Sequence, residues 1–542
     1  MTTIISSARP PRSAKPDPET FHAAARQRLL AAHAEPQFNL AIEPWIPVIR
    51  ADGRVATLGL AEVLAQSHRI RDLAEPHPLV RAGLRRLLGG LTVDLVRRSD
   101  LDGDAWIDLV EGHAGFPTGA LNATLEAHAS RWWLWHPKTP FLQDQRLVQS
   151  LVKPDGETIP IQEIIPDLPS RNTSTWFVKP GEPACMAPVT ATDAARWLVA
   201  RWFYGLPGNC GHVKVPNAAA SVSSQAGGTF VESIATVTHA WRVSPTSLFT
   251  TLLRNIPTTL LADPDDNRCA WLDDQRPSAS NGPLYLATLA CTATLLAASD
   301  DHGHITDVVR GPLPYNKDLV KNVQKAAVAA DQHRVITQKI TNGERRAVRL
   351  DPDQRIEALR QFYRDGLEAA TLRGVVNSAD LWLPKLLPST LIDEQVELLL
   401  AKKNGTGSSP GWNEVVTFLL PAGYLDPEHT RFARVRSAVA AAFHPRDGIH
   451  RQLQIATRRL LAPAKHDDPT VDGMTRAVQE RWLTSAATLL TQALNGEVEP
   501  DDGWRVALRR HACDAFRDVF AVYTASTRYA APYAIALALD AQ

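Results

Sequence analysis

Apolar positions along this chain fall into three regimes. Residues 1–36 are small, polar and Pro-rich at first (SSARPPRSAKPDPET), which predicts a mobile tail ending in a short helix. Order is expected to begin at Phe38. There FNLAIEPWIPVIRADGRVATLGL reads as two short strands joined at Asp52-Gly53, a hairpin turn pair. A helix follows in AEVLAQSH, and apolar residues at helical spacing predict a longer one over 79–98. Residues 101–170 mix helix with Pro-punctuated loops, and 188–205 form an aromatic helix. Segment 281–309 alternates like strand, with Asp-Asp-His-Gly as its turn.

After about residue 384 the period becomes helical. Long amphipathic helices are predicted near 390–403, 411–442, 448–462, 470–495 and 502–525, broken at Gly405-Thr406-Gly407, Pro445, Pro463 and 496–503. Helices of this length on short loops pack as an antiparallel bundle. The expected fold class is therefore α+β: a large mixed N-terminal domain over 38–383, then a C-terminal antiparallel helical (four-helix) bundle over 384–542. No internal repeat or low-complexity tract interrupts it.

Composition narrows the function classes. A chain of 542 residues exceeds one core, and 44% hydrophobic with 21% charged residues describes an ordinary globular protein. With 58 Lys+Arg against 58 Asp+Glu the chain does not coat DNA by bulk attraction, though local charge still decides affinity. Five scattered cysteines (185, 210, 269, 291, 513) without a CxxC pair suggest a reducing compartment and no zinc site. No apolar run approaches membrane-spanning length. Arg9 and Arg12 are followed by prolines instead of an apolar core, so no secretion signal is read and a cytoplasmic location is expected.

Two stretches depart from this balance. Residues 194–231 contain no acid, and their glycine turn carries His212 and Lys214, which suits a polyanion. The alternative is a buried helix followed by a loop. From Arg431 to Lys465 eight Lys/Arg face one acid, Asp447, and Arg451 and Arg458 share a helix face two turns apart. Contact with phosphates and pairing with acids of another helix are equally consistent with this pattern.

Catalytic signatures are lacking. His302, His304 and Asp301 read as a hairpin tip with no third metal ligand in view. Cys210 and His212 flank Gly211, but a working Cys–His pair needs an orienting third group. No phosphate-binding P-loop, GxSxG, HExxH, nuclease cluster or dinucleotide fingerprint is present. Trp132, Trp133, Trp135, Trp197 and Trp202 are assigned to packing.

The opening FNLAIEPWIPV, with its hairpin and PLVRAGLRRLLGGL, closely resembles the start of the CasA family, the large subunits of Cascade, the type I-E CRISPR surveillance complex. Further matches are Pro140-Phe141-Leu142-Gln143, NTSTWFVKPGE at 172–182, LPGNCGHVK at 206–214 and 225–229, in the family's order, over about nine-tenths of the chain. The resemblance implies a non-catalytic, cofactor-free subunit of a guide-RNA ribonucleoprotein. Its partners would be other Cascade subunits, the guide CRISPR RNA, double-stranded target DNA and a helicase-nuclease. Such a subunit reads the protospacer-adjacent motif (PAM) and helps open the duplex beside it.

By the same resemblance, Gly208, Asn209, Cys210, Gly211, His212 and Lys214 match the family's minor-groove glycine loop. Asn377 and Ser378, before Ala379 and Asp380, match its polar wedge without the usual glutamine. Trp176, Phe177, Val178, Lys179 and Gly181 match the loop that touches the guide complex. The family's lysine finger falls at His304 to Arg310, where this chain has no lysine and Arg310 is the candidate cation. Arg451, Arg458 and Arg459 are the candidate DNA-backbone contacts. Glycines let backbone amides approach base edges or phosphates, and the degenerate minor-groove code predicts tolerance of several PAMs. Two other functions remain open at this point: a scaffold subunit that does not read DNA, and a thiol hydrolase on Cys210 and His212.

Overall fold

The computed structural model describes residues 26–150, 159–165, 189–205, 233–241, 247–261, 267–273, 278–290, 293–297, 304–305, 307–311, 322–323, 326–327, 330, 336–341, 344–349, 382, 394–404, 411–421, 442, 448–460, 469–494 and 502–520. Helix α1 (26–32) precedes the expected start of order at Phe38. Leu29 on it is fully buried, and its Arg28 donates to Asp307 at 3.0 Å. Strand β1 (Gln37–Asn39) follows, then the expected hairpin of β2 (Ile46–Arg50) and β3 (Val55–Leu58). Gly53 sits at φ 84°, a left-handed turn conformation in which a Cβ would be strained. Beyond helix α2 (Leu60–Ala65), β4 (Ile70–Leu73) completes an antiparallel sheet in the order β3-β2-β4.

The centre of the molecule is helix α3 (Pro78–Arg98). Pro78 starts it without wasting an amide, and His77 Nδ1 caps it by accepting from Leu79 N at 3.2 Å. Leu84, Leu87, Leu88 and Leu91 are all fully buried, so the helix is wrapped on several sides, as its broad apolar pattern requires. Packed around it are α5 (Thr118–Ala127), α7 (Ala191–Tyr204) and α8 (Leu248–Arg254), with α4 (Gly103–Glu111) supplying the buried Trp106. Close approach is visible at Gly90, where an added Cβ would lie 2.8 Å from both Cys269 Sγ and Trp271 Cη2.

Strand β5 (Trp133–Trp135) pairs antiparallel with β1. Short α6 (Leu147–Ser150) and β6 (Ile159–Pro160) lead to the small sheet β6-β9-β8, with β8 at Ala293–Leu296 and β9 at Asp307–Gly311. The expected strand character over 281–309 is thus only partly correct. Ahead of β8, and after α9 (Thr258–Leu261), Pro283–Ala287 is helix α10, started by Pro283 in the first turn.

The larger correction concerns 394–421, while 422–441 of the second predicted helix lie outside the described residues. Instead of two helices, Glu394–Asn404 is strand β12 and Gly411–Pro421 is strand β13. They form a long antiparallel hairpin, and β12 also pairs along nearly its whole length with β7 (Ser233–Trp241), from Glu394↔Trp241 to Lys402↔Ser233. A second ribbon, β10 (Ile336–Thr341) with β11 (Glu344–Arg349), pairs with no other described strand. The other predicted C-terminal helices form, as α11 (Ile449–Leu460), α12 (Pro469–Leu494) and α13 (Asp502–Phe520). All three pack on one another around fully buried Trp482, whose Nε1 donates to Leu508 O at 3.2 Å. Strand β13 touches both α3 and α12, which makes the hairpin a bridge between the central core and these helices. Among the described residues no helix is long and apolar enough to cross a membrane.

Candidate nucleic-acid interface

Helix α7 is the platform from which two of the predicted loops depart. Its N-cap Thr190 accepts from Asp193 N at 3.2 Å, and its last turn closes with Gly205 N donating to Arg201 O at 2.8 Å. Two further contacts hold that last turn. Trp202 Nε1 donates to Thr288 O at 2.8 Å, and the Arg86 guanidinium stands 5.3 Å from the Phe203 ring and 5.9 Å from the Tyr204 ring. The chain therefore leaves a fixed point at Gly205 just before Gly208. Residues Gly208, Asn209, Cys210, Gly211, His212 and Lys214 lie outside the described residues.

The loop carrying Trp176, Phe177, Val178, Lys179 and Gly181 is also outside them, but both of its anchors are described. Before it, Ile161 and Ile164 are buried in the core; after it, Val189 O accepts from Ile305 N at 2.8 Å. The same bridge fixes the start of β9, whose Arg310 lies in register opposite Thr294 of β8. Three predicted elements thus spring from one packed unit: the docking loop, the glycine loop and the strand of Arg310.

The segment of Asn377 and Ser378 lies outside the described residues, and its downstream anchor is Trp382. Trp382 N donates to Ile256 O at 2.9 Å, and its ring meets that of Trp106 edge-on at 6.0 Å. Trp106 in turn packs on Phe116 and Phe249.

In the helical half of the acid-free stretch Arg196 is answered by acids outside the stretch, and Arg201 is buried. Arg196 pairs with buried Glu75 at 3.3 Å and with Asp193, while Arg201 is only 8% exposed. These two arginines serve the core, and the polyanion reading of 194–231 shrinks to the part after Gly205. Packing likewise absorbs the tryptophans: Trp132 and Trp135 are buried, with Nε1 donating to Leu125 O at 2.9 Å and Ala297 O at 3.2 Å.

Arg451, Arg458 and Arg459 are in a different position. On α11 the stripe Ile449, Leu453 and Thr457 is buried at i, i+4 spacing, which turns these three arginines to solvent. Arg451 bonds the neutral Gln454, and among the described residues none of the three has a carboxylate partner. A helix face with cations and no partner anion among the described residues is a phosphate-compatible surface.

A buried ionic cluster escaped the sequence reading. Arg85 of α3 reaches Asp72 of β4 at 3.1 Å and Glu397 of β12 at 3.0 Å, and Arg81 reaches the same Glu397 oxygen at 3.4 Å. Burial alone would lower the Arg85 guanidinium pKa, but Asp72 and Glu397 outweigh it and hold the group above its ordinary value. Nothing in the local sequence around Glu397 announces a partner on α3. Cys269 is buried and its thiol is pushed well up by desolvation, so it is no ready nucleophile. The other thiol candidate, Cys210, is outside the described residues. Among the described residues no group of three or more His, Cys, Asp or Glu could hold a metal ion.

Comparison with known proteins places this architecture. The family described as CRISPR-associated protein Cse1 matches residues 39–365. A curated CRISPR-associated protein CasA/Cse1 from Thermus thermophilus is 33% identical over 143 residues. That aligned stretch is 26% of this chain and spans about a quarter, 26%, of the relative's own length. Among solved structures, Thermus thermophilus CasA (Cse1) superposes with a TM-score of 0.64 at 19% identity, covering 93% of this chain and 98% of that one. Thermobifida fusca Cse1 gives 0.64 at 20% identity over 92% and 96%. A chain of a CRISPR RNA-guided surveillance complex gives 0.63 at 19% identity over 94% and 100%. At these identities the likeness is one of fold.

Proposed function

The chain belongs to the CRISPR-associated Cse1 family, and from that footing we propose that it is the large, non-catalytic subunit of a type I-E surveillance complex that reads a PAM in duplex DNA. In this reading it assembles in the cytoplasm with the other Cascade subunits and the guide RNA. Gly208 to His212 and Lys214 approach the minor groove, and Arg310 supplies the cation that a lysine gives elsewhere in the family. Asn377 and Ser378 enter the first base step, and Trp176 to Gly181 meet the guide complex. The α+β part takes in residues 38–383 and, beyond the expected boundary, the hairpin β12–β13, and the helices that follow form a four-helix bundle of which α11, α12 and α13 are three. The opened complex then recruits the helicase-nuclease.

The observation that carries the DNA-binding part is the face of Arg451, Arg458 and Arg459, exposed and without a carboxylate partner among the described residues. Phosphate contacts of this kind position a protein on the duplex without selecting sequence, and the glycine loop would add the selection. A scaffold role without PAM reading is favoured by two observations, the lack of lysine between His304 and Arg310 and the lack of glutamine in the wedge segment of Asn377 and Ser378.

Reconstitution with and without the chain separates the two. Guide pairing alone suffices to capture a complementary single strand, whereas a duplex must first be opened. Omitting the chain is expected to leave single-strand capture intact and abolish duplex capture. Equal duplex capture without it would overturn PAM reading and leave the scaffold role.

A further inference from the structure

We propose that helix α1 positions strand β9 for duplex DNA, with Arg28 acting as a positioning residue that cancels the charge of Asp307 where phosphates approach. This rests on the reading that β9, through Arg310, meets the duplex, and extends it to an element lying ahead of residues 39–365, the span that the family matches.

Packing carries the first half. Helix α1 (26–32) is seated by fully buried Leu29, with Ala32 and the following His33 also buried. Two contacts from this segment end on the strands β8 and β9. His33 brings Nε2 to 3.0 Å from Leu296 O of β8, and Arg28 donates through Nη2 to Asp307 Oδ2 of β9 at 3.0 Å. The same strands are held at further points. Ala297 N donates to Asp307 O at 3.0 Å, Leu296 N donates to Gln143 Oε1 at 2.8 Å, and Thr294 O accepts from Asp144 N at 3.0 Å. Thr294 is the register partner of Arg310. The strand of the candidate cation is thus set by the 143–144 segment and by α1 together.

Charge carries the second half. Asp307 is the acid nearest to Arg310 along the chain, three residues before it. A carboxylate at that place repels phosphates and opposes the cation that the duplex is to meet. The Arg28 and Asp307 side chains are 47% and 24% exposed, and an ion pair so open to water adds little to stability. Burial of Leu29, Ala32 and His33 holds the segment without it. What the pair leaves is its effect on the local field: a guanidinium held against the carboxylate removes that repulsion. Helix α1 brings no acid of its own over 26–32, where it carries Arg26 and Arg28.

The test uses the assembled complex with a guide-matched duplex and the matching single strand, and follows affinity against salt. Arg28→Gln is expected to weaken duplex binding about threefold to tenfold at low salt, the size of one charge contact in water, and less as salt screens it. Assembly with guide RNA and capture of the single strand should be unchanged, as should the urea midpoint of the free chain. Arg28→Lys should bind like the wild type, since a point charge still covers the carboxylate. Adding Asp307→Asn to Arg28→Gln should restore most of the duplex affinity, which a loss of packing would not allow. Wild-type duplex affinity in Arg28→Gln would overturn the inference and leave the proposed function standing. A deficit shared equally by duplex and single strand would also overturn it, by assigning α1 to general folding. So would a deficit that Asp307→Asn leaves in full, by making Arg28 a direct contact. Failure of the wild-type complex to bind duplex would remove the proposed function first and this inference with it.

Discussion

Arg85 of α3 and Glu397 of β12 meet at 3.0 Å with both side chains only 4% exposed. Through this pair the hairpin β12–β13 is fastened to the central helix, and β13 goes on to touch α12. A buried ion pair contributes little net stability against an apolar substitute, but removing one partner strands a charge. Because Asp72 still pairs with Arg85 at 3.1 Å, Glu397→Gln should cost less than the about 3–5 kcal/mol of a fully stranded charge. Denaturant unfolding gives the magnitude, and hydrogen exchange should show the loss of protection centred on β7, β12 and β13. A change confined to α12 and α13, with these strands still protected, would contradict the fastening role.

His33 links the end of α1 to two strands. Its Nε2 stands 3.0 Å from Leu296 O, and its Nδ1 lies 3.3 Å from His136 O and 3.4 Å from His136 N. Burial lowers its pKa from the ordinary 6.5, outweighing the two carbonyl contacts, and nearby His136 lowers it further. Above that ordinary value folded and unfolded chains hold the same number of protons here. As pH falls below it, the unfolded chain gains a proton that the folded chain refuses, and stability is lost until the folded pKa is passed. His33→Gln should reduce the drop in stability between about pH 7 and about pH 5.5 by at most roughly 1.4 kcal/mol per pH unit. His68 and His136, whose pKa values are also lowered chiefly by burial, keep part of the slope. Urea midpoints at several pH values measure this, and an unaltered slope would contradict it.

Adjacent glycines of α3 should respond with opposite signs. A Cβ at Gly89 meets nothing within 4 Å, and that position borders a cavity lined in part by Leu252, Leu284 and Thr288. Gly89→Ala should stabilise by about 0.5–1 kcal/mol from helix propensity alone. At Gly90 the new atom would collide with Cys269 Sγ and Trp271 Cη2, both on buried residues, so Gly90→Ala should destabilise by about 1–2 kcal/mol. Thermal unfolding of the two variants side by side tests the packing of α3.

Sequence periodicity found the elements whose register is set locally. Pro78 and the apolar spacing behind it mark α3, Asp52-Gly53 marks the first hairpin, and α11 to α13 follow their amphipathic stripes. It failed at β12, where Glu-Gln-Val-Glu-Leu-Leu-Leu-Ala-Lys-Lys is rich in helix formers. Strand wins there because β7 and β13 supply pairing on both edges, a tertiary effect that a local window does not contain. Buried Glu397 and Leu399, two residues apart, share a face as strand geometry requires. At β13 the β-branched and aromatic run Val415, Val416, Thr417 and Phe418 was a usable signal, overridden by the helical reading of 411–442. Of the candidate interface, the cationic run of α11 was legible in the sequence, whereas the fate of Arg196 was not, because its partner Glu75 is distant along the chain.

Binding of the assembled complex to duplexes that differ only in the base pairs beside the guide-matched segment tests PAM reading most directly. With the wild-type chain, affinity is expected to depend on those pairs. Gly211→Val should flatten that dependence, since a branched side chain holds the loop backbone off the groove. Replacing Arg451, Arg458 and Arg459 by Ala should weaken all duplexes alike and lower the salt slope by about one unit for each phosphate no longer neutralised. Affinity indifferent to the adjacent pairs in the wild type, or full discrimination retained by Gly211→Val, would contradict the account.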